Sequence, residues 1–241
     1  MEGARTYPVR QADRRFYTAM AVAVLIVVFV GFTPTYYLRW QFTSPPLPLF
    51  LHVHGVVFSS WIVFFFVQTA LVAAGKTAVH RTAGWFGAAL ALTMGPVGAV
   101  SGILSMRAQV EAGNVVPALA FLTTPILSML VFSILAGAGI ALRRRPDWHK
   151  RLLLLATISL LDAPLARWPI AFLTTSTWAY YVAADLFIAA AIAYDLRTRR
   201  AVHPVLLWGG VLIVTGQVLR TPLGNTEVWQ TFARILIGVR S

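Results

Sequence analysis

No cysteine occurs anywhere in the 241 residues, which excludes disulfides, thiolate metal sites, iron–sulfur ligation and c-type haem attachment. Acidic residues are scarce: eight Asp and Glu stand against 20 Lys and Arg, giving a formal net charge of +12. Charge of either sign makes up only 12% of the chain, while 58% is hydrophobic and the mean hydropathy is +0.73. A soluble domain of this size would expose far more apolar surface than one core can cover. What is abundant instead is long apolar sequence.

A helix needs roughly 20 apolar residues, at about 1.5 Å each, to cross about 30 Å of hydrocarbon. Seven stretches approach that length: Phe16 to Thr33, Leu49 to Ala74, Ala83 to Leu104, Val116 to Leu142, Leu152 to Leu173, Trp178 to Tyr194 and Pro204 to Leu219. The predicted fold is therefore all-α, a seven-transmembrane-helix bundle in a single membrane domain over 1–241. The first run follows a polar segment and ends in Pro34-Thr35-Tyr36-Tyr37 rather than at small residues. That argues for a retained first helix rather than a cleaved signal peptide. Loops between the stretches are short, so any activity must be built from helices and their ends. From Thr226 to Val239, Trp229, Phe232, Ile235, Leu236 and Val239 recur at helical spacing, which predicts a short amphipathic helix lying on the outer surface.

Cationic loops stay on the cytoplasmic side. With a cytoplasmic N-terminus, 14 of the 20 Lys and Arg fall inside: Arg5, Arg10, Arg14, Arg15, Lys76, Arg81, Arg143, Arg144, Arg145, Lys150, Arg151, Arg197, Arg199 and Arg200. Only Arg39, Arg107, Arg220, Arg234 and Arg240 fall outside, and Arg167 lies within a helix. This predicts a multi-pass protein of the cell inner membrane. Its positive charge reads as a topological signal and a contact for anionic lipid headgroups, not as a nucleic-acid surface. A membrane-protein partner or a homo-oligomer is a further possible association.

Ionisable side chains inside hydrocarbon cost at least about 2.5 kcal/mol each on insertion scales, so they face protein. Asp162, Arg167 and Asp185 are such residues. Asp162 and Arg167 are five apart and point in different directions, so Arg167 is expected to pair with Asp185 across a helix interface. The alternatives are a structural ion pair fixing helix register and a proton or substrate site. Pro164 and Pro169 interrupt the fifth stretch by removing backbone donors, and Gly95-Pro96 is expected to interrupt the third. Broken helices beside buried charge also occur in transporters.

Histidines supply a second constellation. His54, Trp61 and Gln68 recur every seven residues and form one stripe that should face protein. His80, His149 and His203 each stand at the cytoplasmic start of an inbound helix, at one depth. Around two of them the spacing repeats: His80, Trp85 and Gly87 against His203, Trp208 and Gly210. Imidazole ligates haem iron, copper, zinc and non-haem iron, so the three could hold a transition metal or one haem b, with His54 and Gln68 as further cofactor contacts. Asp147 and Asp195 are nearby carboxylates that could ligate or orient. An interfacial histidine belt is the alternative, because Arg143 to Arg151 suits phospholipid phosphates and repels a neighbouring cation.

The stretch Leu47-Pro48-Leu49-Phe50-Leu51-His52-Val53-His54, then Gln68, His80-Arg81 with Gly84, and His149-Lys150-Arg151 with Leu152 resembles a family of uncharacterised bacterial multi-pass membrane proteins. Those carry an outer-end histidine and His-Arg or His-Lys-Arg loop motifs. It is more loosely similar to the small membrane proteins that assist haem–copper oxidase assembly, which are shorter and have fewer helices. The resemblance covers roughly Pro46 to Leu173 and implies histidine-dependent redox or haem-related work. Other classes fail on residues. Retinal needs a lysine in the last helix, but lysine occurs only at Lys76 and Lys150. No helix carries two histidines 13 or 14 apart for stacked haems, and five scattered histidines are too few for a desaturase. Three readings stand: a haem- or metal-binding membrane protein, a small proton-coupled transporter using the midplane Asp/Arg residues, and an accessory subunit of a membrane complex.

Overall fold

A computed structural model describes residues 3–42 and 46–238. Val239, Arg240 and the side chains of Arg5 and Arg10 lie outside the described residues. The described residues form helices joined by short turns, with no strand among them. It runs α1 (Gly3–Phe32), a π-helical turn (Thr33–Tyr37), α2 (Leu49–Ala73), α3 (Thr77–Glu111), α4 (Val115–Phe121) and α5 (Thr123–Ala141). Then follow α6 (Pro146–Ile158), α7 (Asp162–Leu165), α8 (Ala171–Thr175), α9 (Thr177–Arg199), α10 (Pro204–Gly224) and α11 (Glu227–Ile237).

Six helical segments are long and apolar enough to cross a membrane: Gln11–Tyr37, Leu49–Ala73, Thr77–Glu111, Val115–Ala141, Trp178–Arg199 and Pro204–Gly224. The expected fifth span, 152–173, is not among them, because it breaks into α6, α7 and α8. Between α6 and α7 the amides of Leu160 and Leu161 bond three residues back, to Thr157 and Ile158, so the helix tightens and stops. Pro164 and Pro169 then withhold their donors. The α6 and α7 part of this fragmented segment is deeply enclosed. Leu154, Leu155, Ala156, Ile158 and Leu161 are fully buried, packed among α1, α5, α9 and α10. Irregular backbone is tolerated at membrane depth where protein surrounds it. A Cβ on Gly31 would come within 2.2 Å of the Pro164 carbonyl oxygen, so glycine is what lets α1 lie against α7.

Other boundaries differ from expectation. Gly95-Pro96 does not interrupt α3, which continues over 35 residues with Pro96 inside it. Helix α10 continues past Leu219 to Gly224, and that extension turns Arg220 into the bundle. The terminal helix α11 is present as expected, but its inward face is Trp229, Ala233 and Ile237, packed with Met106, Leu119 and Leu122 in a small second core. Phe232, Ile235 and Leu236 point outward. The Trp229 indole N–H donates to the Leu119 carbonyl at 2.8 Å.

One end of the bundle gathers the starts of α3, α6 and α10 with the first turns of the α1 span and the ends of α2, α5 and α9. Ion pairs tie this basic end together. Asp13 accepts from Lys150 at 2.8 Å, from Arg199 at 2.7 Å and from the Tyr194 hydroxyl at 2.7 Å. Arg151 and Asp195 form a two-pronged pair at 3.0 and 2.5 Å, both buried. Arg151 is therefore no headgroup contact, and Asp195 is occupied by guanidinium groups. Removing one member of such a pair typically costs about 3–5 kcal/mol, because the other is left charged in an apolar setting.

Candidate functional site: a histidine pair and a midplane network

Two polar constellations interrupt the apolar interior. The first lies at the basic end, where His80 on α3 and His149 on α6 stand edge to face with ring centroids 6.2 Å apart. The stripe His54, Trp61, Gln68 does face protein. The Trp61 N–H donates to Thr157 Oγ1 at 3.3 Å, and Gln68, buried, places Oε1 2.5 Å from His80 Nδ1. His149 Nδ1 sits 2.8 Å from the Gly139 carbonyl oxygen. Gly139 has no side chain to hold the helices apart: a Cβ there would lie 2.8 Å from Leu153.

Both oxygen partners can only accept, so each Nδ1 carries a proton, and in the neutral ring each Nε2 keeps its lone pair. That is the tautomer in which histidines ligate metals, with Nδ1–H anchored on an oxygen. Gln68 Nε2 is buried and without a hydrogen-bond partner among the described residues, a donor still available to a ligand.

His203 is held differently. Its Nδ1 accepts the Val205 N–H at 3.2 Å, capping α10, and so its Nε2 bears the proton. Its ring packs against Trp148 at 5.1 Å. Burial and the nearby Arg151 guanidinium hold this imidazole below its ordinary range. Asp147 is held below the usual carboxylate range by the Lys150 ammonium. Among the described residues no three His, Asp or Glu converge on a common point for a metal ion. His54 stands 14 residues before Gln68 on α2, about 21 Å along the axis, and stacks on Phe58 at 4.0 Å. It does not join the pair.

The second constellation lies toward the other end. The expected pairing of Arg167 with Asp185 does not form. Arg167 is exposed; it donates to the Ala163 carbonyl at 2.6 Å and covers the Phe32 ring. The partner of Asp162 is Arg220, at 2.8 Å. Arg220 also donates to Tyr181 Oη at 3.1 Å and Ser128 Oγ at 3.0 Å. Gln217 Nε2 bridges the two carboxylates, 3.2 Å from Asp162 and 3.3 Å from Asp185. Sequence reasoning does not single out Arg220, because a helix ending at Leu219 places an arginine at its rim, nor Gln217, which carries no charge to mark it. Their three-residue spacing on one face was the available signal.

An all-helical bundle with six apolar helices of membrane length is compatible with an integral, multi-pass membrane protein. No protein-family model, curated protein or solved structure matches this chain.

Proposed function

We propose that this chain is a multi-pass inner-membrane protein that binds one transition-metal ion, or the iron of one haem b, through His80 and His149 at its cytoplasmic face, in a redox or assembly role. In this reading the broken segment α6 to α8 completes a seventh passage, and the N-terminus is cytoplasmic. One observation carries the proposal: two neighbouring imidazoles, each with Nδ1 turned onto an oxygen, leave two Nε2 lone pairs on rings 6.2 Å apart.

A metal–imidazole bond is about 2.0 Å, so two such bonds plus the reach of each ring span a distance close to that separation. An ion held by both needs the two Nε2 lone pairs turned toward one point from this edge-to-face pair, whereas a haem requires a flat slot between the rings. Imidazole suits zinc, copper, iron or nickel, and two protein ligands leave positions open for water or a partner's donor. The bound ion would supply Lewis acidity or an electron; the protein's own part is to fix both tautomers and to offer the Gln68 amide N–H.

Metal analysis and the visible spectrum of protein purified from metal- and haem-replete cells test this. One metal or haem per chain is expected, lost in His80→Ala and in His149→Ala and retained in His203→Ala. A colourless, metal-free preparation would overturn the reading.

A further inference from the structure

The midplane network contains two carboxylates and one guanidinium. Arg220 lies against Asp162, 2.8 Å away and buried with it. Among the described residues no Lys, Arg or His comes within ion-pair distance of Asp185; its hydrogen bond comes from the neutral amide of Gln217. Fully ionised, the network would carry one surplus negative charge.

The place of Asp185 disfavours that surplus. It lies eight residues into α9, about 12 Å from the helix start, and its side chain is half-buried. Val182, three residues before it, and Leu186, the next residue, are 57% and 63% exposed, so the carboxyl stands beside the outward face of α9, at the rim where hydrocarbon begins. A carboxylate there, without a cation, is strongly disfavoured relative to its neutral acid. The groups facing it are Gln217 and Arg220 on α10, Asp162 on α7 and Tyr181 on its own helix. Helix α8 contributes no titratable side chain. The Asp13–Lys150–Arg199 cluster, which α1 and α6 bring to α9, lies 14 residues on, about 21 Å away.

We propose that Asp185 is a lipid-edge proton-binding site, taking up and releasing one proton per chain opposite the fixed Asp162–Arg220 pair. This site is independent of the histidine pair. The step is a proton transfer alone: hydronium gives its proton to the Asp185 carboxylate and leaves water, and the reverse step returns it. Gln217 makes the exchange reversible without rupture. Its N–H bonds the carboxylate oxygen in one state and the carbonyl oxygen of the acid in the other, while the second N–H stays on Asp162. The ligand is thus the proton itself, and proton-coupled movement of a solute is the class of activity such a carboxyl serves.

A hydrophobic carbodiimide reacts with protonated carboxyl groups in apolar surroundings, and mapping its adducts reads the site directly. The full chain in lipid nanodiscs is treated with dicyclohexylcarbodiimide across a pH series, and its peptides are analysed by mass spectrometry. An adduct on Asp185 that declines as pH rises is expected, with none on Asp162 and none at position 185 in Asp185→Asn. Gln217→Leu removes the bond that favours the ionised form, so its labelling should persist to higher pH. Absence of an Asp185 adduct at every pH in protein that still elutes as a folded monodisperse species would overturn the proposal. Preferential labelling of Asp162 would do the same.

Discussion

His203 shows how one ring nitrogen decides between roles. Its Nδ1 accepts the Val205 N–H and closes the first turn of α10, and a protonated imidazole cannot accept. The native ring is held below the value of about 6.5 that an unfolded chain would show. The unfolded state therefore binds the proton more readily. The stabilisation is complete above about pH 6.5 and declines as pH falls from there through the lower native value. We expect melting of the detergent-solubilised protein to shift down between neutral and mildly acidic pH. His203→Asn, a cap that does not titrate, should flatten that slope. An equal slope in both proteins would remove the cap as its cause. The same criterion separates His203 from His80 and His149, whose Nδ1 atoms are turned onto oxygens, although all three look equivalent as letters at helix starts.

Among the elements, the fragmented α6–α7 segment depends on its neighbours' lack of side chains. Gly31→Ala places a methyl group 2.2 Å from the Pro164 carbonyl oxygen, a backbone atom that cannot swing aside, and we expect a loss of about 1–3 kcal/mol. Gly137→Ala is the control, since nothing lies within 4 Å of its added Cβ. In a helix interior that change should be neutral or stabilising by up to about 1 kcal/mol. Thermal melting of the two variants side by side checks both. Most helices could be read from hydropathy alone, because a crossing helix advertises itself by length. Pro164 and Pro169 also marked the break. Two kinds of feature were not legible. Helix ends at Glu111 and Gly224 lie beyond the apolar windows, so Arg220 looked like a boundary charge instead of the partner of Asp162. Pairings such as Arg151–Asp195 and Asp13–Arg199 depend on which faces three helices turn toward each other, and local sequence does not encode that rotation. The Gln68–His80 contact was half legible: the stripe identified the inward face of α2, but not which residue it meets.

At the scale of the whole molecule, the absence of cysteine offers a clean background for mapping its two ends. Lys76 precedes α3 at the basic end, and Thr226 caps α11 at the other. In intact cells we expect a membrane-impermeant thiol reagent to label Thr226→Cys directly, and to label Lys76→Cys only after permeabilisation. The reverse pattern would invert the proposed orientation, and labelling of both from outside would remove the membrane-spanning arrangement. The basic end also carries a groove of about 750 Å³ between α1 and the end of α2. Arg14 and Arg15 line its head, and Val22 and Ile26 its apolar wall.

The clasp around Asp13 has a consequence for how the protein is made. Its three partners, Lys150, Tyr194 and Arg199, emerge from the ribosome long after the first helix. Until then the first turns of that span lack the full set of polar contacts that anchor them at the basic end. The clasp therefore closes only with delivery of the tail of α9, and a nascent chain stopped short of it holds Asp13 through Lys150 alone.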